Sequence, residues 1–517
     1  MDANRRGTEV RNPVHYDTIV LGAGISGLAF ASRLLQEQGN ISEANQLQVL
    51  EARDRIGGRI ASVHVEDCRL DTGANWIHGT GDAERPNPLM DILPNKRYRP
   101  MEGSVLFRAP GEEDDTHTGG SLLVPTRVAG LIVVCAQSAM EAVQDSASIP
   151  AEFAKNISVL QFLVSTKAFQ SAFELVPKEY HRTLGALFQG IEGIEAAPLV
   201  AQSTEPRRPE SKPGVGILEY AVDYFNGEQA FLQDGYTAVV DEFAKPLANA
   251  DAITLETVIT RVFWARNPIV IETNRGDFTA REVVCTFPLG VLKDSNADAL
   301  FVPNLPEDKQ EAINNLGFGT LDKVFAIYST PWWNDEPYRS ILIQTEGQDE
   351  TELPDSFLGF ASGLGGIFID RNGSVSPGVY RTPVMNLHSL TGQPVLCTFV
   401  SCKTATEVEA MADEDIGALF HRTLTEWFGI EPPAPNAIHV TRWSQDPYSR
   451  GSYSHYITGL SEAKHRKVLQ EPIINEFGGV LRFAGEHCSQ DHFAMVHGAL
   501  LDGWRAAEAS LQHSPRS

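Results

Sequence analysis

The sequence predicts an α/β fold, α+β overall, in which two domains are interleaved along the chain. Two observations predict this fold class. Residues 16–59 have the order of parts of a βαβ nucleotide-binding unit, and further along the chain strand-rich segments alternate with mixed segments. This alternation favours two domains assembled from separated pieces over two consecutive domains. With 517 residues, the chain is long enough to build both around large cores.

The βαβ unit begins with a β-branched, apolar strand at residues 16–21, which leads into the sequence GAGISG at residues 22–27. A helical pattern follows, and a second strand, Leu47–Leu50, ends in Glu51. The glycines permit a tight turn and let backbone N–H groups approach a pyrophosphate at a helix N-terminus. Glu51 is placed to accept hydrogen bonds from ribose hydroxyls. The unit therefore predicts dinucleotide binding, although alone it does not separate NAD from FAD.

The composition limits the partners that the protein can have. Hydrophobic residues make up 42% of the chain, as in an ordinary globular protein, and the formal net charge is −25. A field of this sign repels nucleic acid and anionic membranes, so we expect neither as a partner. It attracts cationic ligands, but an acidic surface that keeps the protein soluble explains the charge equally well.

Cysteine usage and the chain ends predict a cytoplasmic protein. The six cysteines form no CxxC pair, so buried reduced thiols are expected. The first 13 residues lack the apolar core of a signal peptide, and nothing approaches 18 consecutive apolar residues, so no transmembrane helix is expected. The last residues, SPRS, are not a clear peroxisomal address, which leaves that compartment open. The oligomeric state, monomer or dimer, stays open.

Periodicity places further elements along the chain. Helices are predicted at residues 131–142, 160–175, 177–189, 238–247, 407–427 and 498–511. Short strands are predicted at residues 253–262, 269–273, 283–286, 324–328 and 395–399. Polar segments at residues 201–213 and 345–355 indicate exposed loops.

Five segments in order resemble the FAD-dependent amine oxidases, the family of monoamine oxidases, polyamine oxidases and lysine-specific histone demethylases. They are the glycine-rich unit with GGR at 57–59; LDTGANWIHG at 70–79; TFPLGVLK at 286–293 with GFGTLDKV at 317–324; WSQDP at 443–447 through GSYS at 451–454; and FAGE at 483–486 through VHGA at 496–499. The resemblance covers about residues 15–510. The string WIHG, with Asn87 and Pro88 after it, looks most like animal-type polyamine and spermine oxidases.

The resemblance implies how the two domains divide the chain. A Rossmann-like FAD-binding domain would consist of residues 12–95, 228–308 and 437–512. A substrate-binding domain of mixed sheet and helices would consist of residues 96–227 and 309–436. The active site would lie at their interface, against the isoalloxazine ring of the flavin.

The resemblance also implies the cofactor residues. Glu51 resembles the ribose-binding acid, Arg59 the arginine near the phosphates, and Glu486 the acid that bonds the ribityl chain. Val258 resembles the residue whose backbone meets the adenine, although by itself it is an ordinary strand valine. The full expected set is Gly22, Gly24, Ile25, Ser26, Gly27, Glu51, Arg53, Gly58, Arg59, Asn75, Trp76, Val258, Trp443, Glu486, Ala494, Met495 and Val496.

Two residues are the candidates for chemistry. In the family, a lysine at the place of Lys323 holds a water beside flavin N5, whereas alone a lysine between Asp322 and Val324 reads as an exposed strand residue. His78 would lie near the substrate channel, where a neutral imidazole can accept a hydrogen bond from an amine or assist its deprotonation. A lone histidine is otherwise usually a satisfied structural residue.

Other residues bear on the substrate and on how FAD is held. Trp443 and Tyr453 resemble aromatic walls of the flavin face, although core packing is the ordinary role of an aromatic side chain. Met495 stands where several relatives carry an aromatic or small polar residue, which leaves the substrate range open. Ser452 takes the place of the cysteine that bonds FAD covalently in monoamine oxidases, so non-covalent FAD is expected.

Two further groups of residues could be binding sites, one for a metal ion and one for an ammonium group, but each has an ordinary explanation. His487, Cys488, Asp491 and His492 are of metal-ligand type, but they overlap the flavin motif at Glu486, so no metal is expected. A second pair, Glu192 and Glu195, would either face the channel and bind an ammonium group or lie on a solvated face.

The resemblance implies an FAD-dependent amine oxidase that acts on polyamines or their N-acetyl forms. Hydride transfer to flavin N5 would give an imine, which water hydrolyses to an aldehyde and a shorter amine, while O2 is reduced to H2O2. A monoamine or L-amino-acid oxidase is an alternative, and so is a catalytically silent FAD-binding scaffold or sensor. A histone demethylase is less favoured because no long coiled-coil insertion is visible.

Overall fold

The structure is a computed structural model of the chain. It describes residues 13–37, 46–93, 98–100, 103–109, 120–144, 156–199, 201, 225, 227–294, 297–343, 353–361, 367–377 and 380–513. The predicted loop at residues 201–213 lies outside this range except for residue 201, and most of the predicted loop at residues 345–355 also does.

The elements of the described residues are as follows. The helices are α1 Ile25–Glu37, α2 Pro88–Ile92, α3 Thr126–Gln144, α4 Val159–Ser165, α5 Lys167–Leu175, α6 His181–Glu195, α7 Thr237–Asn249, α8 Leu289–Lys293, α9 Ala297–Leu300, α10 Glu307–Asn315, α11 Tyr338–Leu342, α12 Leu387–Thr391, α13 Cys402–Glu409, α14 Asp413–Phe428, α15 Ala463–Gln470 and α16 Val496–His513. Short 3-10 turns lie at Lys178–Tyr180, Trp332–Asn334 and Glu486–Cys488.

The strands are β1 Val14–Leu21, β2 Leu47–Leu50, β3 Ser62–Val65, β4 Cys68–Asp71, β5 Trp76–His78, β6 Tyr98–Pro100, β7 Ser104–Leu106, β8 Gln229–Leu232, β9 Ile253–Thr254, β10 Ile259–Phe263, β11 Ile269–Thr273, β12 Gly276–Cys285, β13 Leu316–Gly319, β14 Leu321–Ile327, β15 Ser356–Ala361, β16 Ile367–Ile369, β17 Val375–Pro377, β18 Tyr380–Asn386, β19 Val395–Ser401, β20 Ala437–Val440, β21 Tyr453–Tyr456, β22 Ile473–Ile474 and β23 Val480–Phe483.

The largest sheet carries the predicted βαβ unit. Its strands run in the order β10-β11-β12-β1-β2-β9, and β23 pairs with both β12 and β22. Strand β1 lies between β12 and β2 and is parallel to both. Ile19, Val20 and Leu21 have no exposed surface, because helices or loops cover both faces of this parallel region. The predicted α/β character of this unit is confirmed.

Helix α1 is fixed on this sheet by close contact with α16, near the end of the chain. The contact depends on a glycine, since a Cβ atom on Gly503 would lie 2.4 Å from the carbonyl oxygen of Ser26. Leu28, Phe30 and Leu500 are fully buried at this junction. The first turn of α1 is therefore held in place by a residue 477 positions away in the sequence.

A second sheet of six strands has the order β20-β14-β19-β18-β15-β7. Its neighbours are antiparallel except for β15 and β7, which are parallel. One face packs on an aromatic core that includes Phe107 and Trp427, whose rings stack 5.1 Å apart. Helices α3 to α6 form a further apolar core. This mixed architecture confirms the predicted fold class.

The sheets draw on the segments that the sequence analysis grouped together, but the domain boundaries themselves stay a prediction. The large sheet takes strands from residues 14–50, 253–285 and 473–483, and the six-stranded sheet takes strands from residues 104–106 and 321–440. Strand Ala437–Val440, which follows the predicted boundary at residue 436, pairs with β14 in the six-stranded sheet.

Three predicted elements are each divided in two. The predicted helix at residues 407–427 is α13 and α14, because Ala412 is extended (φ −72°, ψ 147°) before three acidic residues begin a new helix. The predicted helix at residues 160–175 is interrupted at Thr166, whose side chain caps α5 by accepting from the N–H of Phe169. The predicted strand at residues 253–262 is broken near Glu256, which has a φ of +52°.

Helix α3 bears on the expectation that no helix crosses a membrane. Among the described residues, its segment Thr126–Val143 is long and apolar enough to cross a membrane, judged by length and composition alone. The segment has a mean hydropathy of 1.3, and 24% of it is buried. Ile132, Ala139 and Val143 pack in the core that α3 shares with α4 to α6. One such helix is weak evidence, since core helices of soluble proteins pass the same test, and the expectation stays a prediction.

Candidate active site

The glycine-rich turn after β1 packs tightly against protein at Gly22 and Gly27, and it borders open space at Gly24. A Cβ atom on Gly27 would lie 2.1 Å from the carbonyl oxygen of Gly22, and Gly22 itself has a φ of +105°. The N–H of Gly57 donates to the carbonyl of Ala23 at 2.8 Å, which brings the second glycine pair beside the turn. A Cβ atom on Gly24 would meet nothing within 4 Å. Open space therefore adjoins the backbone where a pyrophosphate is predicted.

The start of helix α1 has the donors that a phosphate needs. Ile25 and Ser26 are its first two residues, and the N–H groups of a first helical turn have no partner within the helix. The hydroxyl of Ser26 is buried and forms no hydrogen bond with any residue that the structure describes. A phosphate oxygen is the kind of acceptor that these groups lack, so the residues present fit a dinucleotide.

Glu51 ties the end of β2 to this turn. Its carboxylate is 4% exposed and accepts hydrogen bonds from the backbone N–H of Ala23 at 2.7 Å and of Arg53 at 2.9 Å. A carboxylate has about four lone-pair sites, so both oxygens can still accept from ribose hydroxyls. The geometry is compatible with the predicted role.

Arg53 and Val258, both in the predicted cofactor set, have their polar groups bound within the protein. The Arg53 guanidinium donates to Asp446 at 2.6 Å and to Ser449 at 3.0 Å. The backbone N–H of Val258 donates to the side-chain oxygen of Asn274 at 2.8 Å, and its carbonyl accepts from the N–H of Asn274 at 3.1 Å. Their contacts with FAD stay predictions.

Arg59 and Glu486 meet as an ion pair at 3.0 Å, although 427 residues separate them. Glu486 also accepts from the Ser454 hydroxyl at 2.7 Å and from the N–H of Ala494 at 2.9 Å. Burial by itself raises the pKa of the Glu486 carboxyl, but Arg59, His487, Ser454 and Arg466 outweigh it and lower the pKa to about 2. Glu486 is therefore an anion in the fold, and this anion links Arg59 to the start of α16.

Lys323 lies on β14 and is 5% exposed, so the reading of an exposed strand lysine is wrong. Its Nζ donates to the carbonyl oxygens of Asp71 at 2.8 Å and Gly73 at 2.6 Å. Burial lowers the pKa of the Lys323 amine, against the opposing charges of Cys397 and Asp71. The lysine is held in one position on the backbone of residues 71–73.

Trp443 reaches the same backbone from another side. Its indole Nε1 donates to the carbonyl oxygen of Thr72 at 3.3 Å, and its backbone N–H donates to Asp322 at 3.0 Å. The indole is 9% exposed. Lys323 and Trp443 thus bind three consecutive carbonyl groups, which unites two predicted site residues that the sequence separates by 120 positions.

Asn75 and Trp76 continue this backbone into β5. Asn75 is buried, and its carbonyl accepts from the N–H of Leu232 at 3.1 Å. The carbonyl of Trp76 accepts from the Tyr236 hydroxyl at 2.8 Å, and its ring meets Phe231 edge-on at 5.4 Å. The strand that ends at His78 is therefore rigidly placed.

His78 is partly exposed, and its Nδ1 lies 2.9 Å from the side-chain oxygen of Gln229. Burial of the ring lowers the imidazole pKa, although the bond to Gln229 opposes this shift. His492 and His497 form an edge-on ring pair at 4.9 Å, and a positive charge on His78 would lower the pKa of His497. A neutral imidazole at position 78 is what this setting favours.

The remaining predicted residues lie around Glu486. Ala494 has a φ of +64°, Met495 is 7% exposed, and Val496 begins the 18-residue helix α16. Tyr453 is half-buried at the start of β21. The hydroxyl of Ser452 donates to the carbonyl of Leu321 at 2.9 Å and accepts from the N–H of Leu321 at 2.8 Å, so it binds backbone.

The metal-type residues and the two glutamates complete the set of residues that the sequence singles out. Among the residues that the structure describes, no group of three or more His, Cys, Asp or Glu side chains is arranged to hold a metal ion. Glu192 and Glu195 lie in helix α6, but their side chains fall outside the described part of the chain.

Sequence reasoning missed several residues of this network. Asp322 is buried beside Lys323, and an acid among the apolar residues of β14 was a signal that it is not solvated. Arg466 has no exposed surface and donates to Ser454 and to the carbonyl of His487, both at 2.9 Å. Nothing in its local sequence, which reads as an exposed charged helix, pointed to this position.

Two family profiles match the chain. Residues 205–511, more than half of the chain, match the profile described as flavin containing amine oxidoreductase. Residues 20–93 match an NAD(P)-binding Rossmann-like domain. The second match covers the glycine-rich turn and Glu51.

Individual relatives and solved structures agree with these matches. The chain is 27% identical to probable polyamine oxidase 4 of Arabidopsis thaliana, over 96% of this chain and 87% of that one. It is also 27% identical to the human peroxisomal N(1)-acetyl-spermine/spermidine oxidase, over 95% of this chain and 94% of that one. A solved wild-type putrescine oxidase bound to putrescine superposes with a TM-score of 0.63 at 19% identity, covering 97% of this chain and 100% of the other. This likeness shows the same fold.

Proposed function

The chain belongs to the family of flavin-containing amine oxidoreductases, and we propose that its substrates are polyamines or N-acetylpolyamines. It is an FAD-dependent amine oxidoreductase by family. The observation that carries the narrower proposal is the hydrogen-bonded set around residues 71–78. There Lys323, Trp443 and the strand that ends in His78 join the segment most similar to polyamine oxidases.

The residues that would hold FAD fit its parts. The open face at Gly24 and the donors at Ile25 and Ser26 suit the pyrophosphate, and Glu51 suits a ribose. Arg59 offers a positive charge to the FAD phosphates. The carboxylate of Glu486, with which Arg59 forms an ion pair, partly balances that charge. The N-terminus of α16, preceded by Ala494 and Met495, adds the positive end of a helix dipole.

When bound, FAD would supply the two-electron acceptor for oxidation of the amine to an imine, with O2 as the final oxidant and H2O2 as its product. The protein contributes position and charge. Trp443 forms one wall through its anchored indole, and Lys323 keeps a protonatable amine of lowered pKa beside it. His78, favoured in its neutral form, accepts a hydrogen bond or a proton from the cationic amine. Hydrolysis of the imine then gives an aldehyde and a shorter amine.

The substrate class is supported by names and by charge. The relatives at 27% identity are named as polyamine or N1-acetyl-spermine/spermidine oxidases. The net charge of −25 favours the approach of polycations. We also propose that the protein works in the cytoplasm, which the position of a fluorescent fusion in cells would test.

The experiment is a reduction assay on the purified yellow protein under nitrogen. Spermine, spermidine, their N1-acetyl forms, benzylamine and amino acids are each added, and flavin bleaching is followed before air is admitted. Polyamines are expected to bleach the flavin fastest and to yield peroxide in air. Faster bleaching by benzylamine or an amino acid would replace the proposed substrate class, and no bleaching by any amine would indicate a silent FAD-binding protein.

We propose further that FAD is bound without a covalent link. Serine at position 452 has no thiol, and its hydroxyl is already bonded to both backbone groups of Leu321. Acid precipitation is expected to release all of the flavin into the supernatant. Yellow colour that stays with the pellet would contradict this expectation.

A further inference from the structure

Asp322 and Glu409 form a pair of buried carboxyl groups beside the candidate active site. Asp322 has no exposed surface and Glu409 is 4% exposed. Asp322 and Glu409 accept from the backbone N–H groups of two consecutive residues, Trp443 and Ser444, which places the two carboxyl groups near each other. Neither carboxyl group forms an ion pair with a cation among the described residues, so their charges are not compensated by a direct contact.

The hydrogen bonds around the pair leave room for one proton. Asp322 Oδ1 accepts from the Thr441 hydroxyl at 2.7 Å and from the N–H of Trp443 at 3.0 Å. Glu409 accepts from the N–H of Ser444 at 2.8 Å and from the Ser444 hydroxyl. Asp322 Oδ2 is buried and receives no donated hydrogen bond from the described residues. A proton on Oδ2 satisfies it, because it can then donate to Glu409.

The pair is connected to both sides of the site. Through Oδ1, Asp322 holds the backbone of Trp443, whose indole binds the carbonyl of Thr72 at 3.3 Å. The next residue along the strand, Lys323, binds the carbonyls of Asp71 and Gly73. Successive strand residues point to opposite faces, so Asp322 faces away from the amine of Lys323. The Thr441 hydroxyl donates to Asp322 and accepts from the backbone N–H of Lys323 at 2.8 Å, so a shift of Asp322 acts on the lysine as well as on the tryptophan.

We propose that Asp322 and Glu409 share a single proton and act as a positioning pair that holds Trp443 and Lys323 on the backbone of residues 71–73. The inference rests on the proposed function for its catalytic consequence. The shared proton itself does not depend on which amine is oxidised. Neither residue touches the substrate in this scheme, and both act through Trp443 and Lys323.

The electrostatics agree with the geometry. Burial raises the pKa of the Asp322 carboxyl to about 8, and the hydrogen bond with Glu409 adds to the rise. The cation beside the pair is Arg442, whose guanidinium binds the carbonyls of Glu409 and Met411 and the carboxylate of Asp413 at 2.6 Å. His439 is the other titratable group on this side, and burial lowers its pKa. Loss of the proton would leave two buried anions in contact.

The test follows the holoenzyme as the pH is raised through about 8. Infrared difference spectra report a protonated carboxylic acid, and flavin circular dichroism reports the position of the Trp443 indole relative to the flavin. In the wild type we expect the carboxylic-acid band to disappear and the dichroism to change over the same pH range. The variants Asp322→Asn and Glu409→Gln are expected to lose both signals. The amide that Asp322→Asn introduces still accepts from the N–H of Trp443 and can donate to Glu409, so this variant should fold and bind FAD.

Asp413→Asn is the matched control, because it removes a neighbouring acid that is paired with Arg442 and lies outside the pair. This variant should keep both signals. A wild type without the carboxylic-acid band, or a D322N variant with an unchanged band and step, would overturn the shared proton. If D322N does not fold, E409Q decides the same question. None of these signals needs amine turnover, so a wild type that oxidises no amine would refute the proposed function while the spectra still decide the pair.

Discussion

Replacing Lys323 by methionine is the perturbation that tests the candidate active site most directly. Methionine keeps the length and burial of the side chain but removes the charge and the bonds to the carbonyls of Asp71 and Gly73. A hydrogen bond from a charged group contributes about 1.5–3 kcal/mol, so two of them offset much of the cost of burying the ammonium. The variant should fold, because that cost disappears together with the bonds.

The expected effect is on the flavin reaction. A tenfold change in rate corresponds to about 1.4 kcal/mol of activation free energy, which is less than one such hydrogen bond. We therefore expect Lys323→Met to slow flavin reduction or reoxidation by at least about tenfold. Stopped-flow absorbance measures the two half-reactions separately, with the amine under nitrogen and then with O2 after reduction.

Lys293→Met is the matched control. Lys293 is a partly buried lysine whose Nζ donates to the carbonyls of Ile313, Asn314 and Leu316, each at 2.8 Å, outside the candidate site. This control is expected to lower the melting temperature and leave both half-reactions unchanged. If Lys323→Met with full FAD content reacts within about twofold of the wild type in both half-reactions, the role of Lys323 is refuted.

The other predictions concern the cofactor and the channel. Glu486 has its pKa lowered from 4.5 to about 2, so it adds stability that is complete above about pH 4.5 and is lost as the pH falls through about 2; this amounts to about 3 kcal/mol. Urea unfolding of Glu486→Gln across this range should lack that dependence, and a slope equal to that of the wild type would contradict it. Gly24→Val should fold but hold little FAD, because a Cβ atom at this position meets only open space in the protein. Gly27→Val should fold poorly, because a Cβ atom there would lie 2.1 Å from the carbonyl oxygen of Gly22. Flavin absorbance and far-ultraviolet circular dichroism separate the two outcomes. His78→Asn should raise KM by about tenfold with a smaller change in kcat, as for the loss of one hydrogen bond to a charged amine; an equal fall in kcat would indicate that His78 acts in the chemical step.

Local features of the fold were predictable because short-range geometry decides them. Leu47–Leu50 and Ile269–Thr273 form strands with the predicted bounds, and the glycine-rich turn lies between a strand and a helix as expected, with the helix beginning at Ile25. Glycine spacing and β-branched runs act over a few residues, so they can be read from the chain. The helix at residues 407–427 was predicted as one piece because its apolar pattern continues across the break before Asp413.

Side-chain partners across the sheets were not predictable in this way. The burial of Lys323 could not be predicted from its sequence neighbours, because the carbonyl groups that its amine binds, those of Asp71 and Gly73, lie about 250 residues away. Glu409 belongs to a helix that follows β19, and only the packing of that helix brings it to Asp322. Arg466 is buried because Phe493 and Tyr456 enclose its guanidinium, at 3.7 Å and 4.6 Å to the ring centroids.

The sequence by itself determined the ligand class and the family, since the glycine-rich turn, Glu51 and the ordered motifs are contiguous strings whose backbone requirements are local. The tertiary structure decided which charges are buried and what they bind. Arg59 meets Glu486 across 427 positions, and Lys323 and Trp443 converge on residues 71–73. The physical reason is that burial, and with it the pKa of a lysine or carboxyl group, depends on which surfaces pack together, and the chain assembles those surfaces from segments that are remote in sequence.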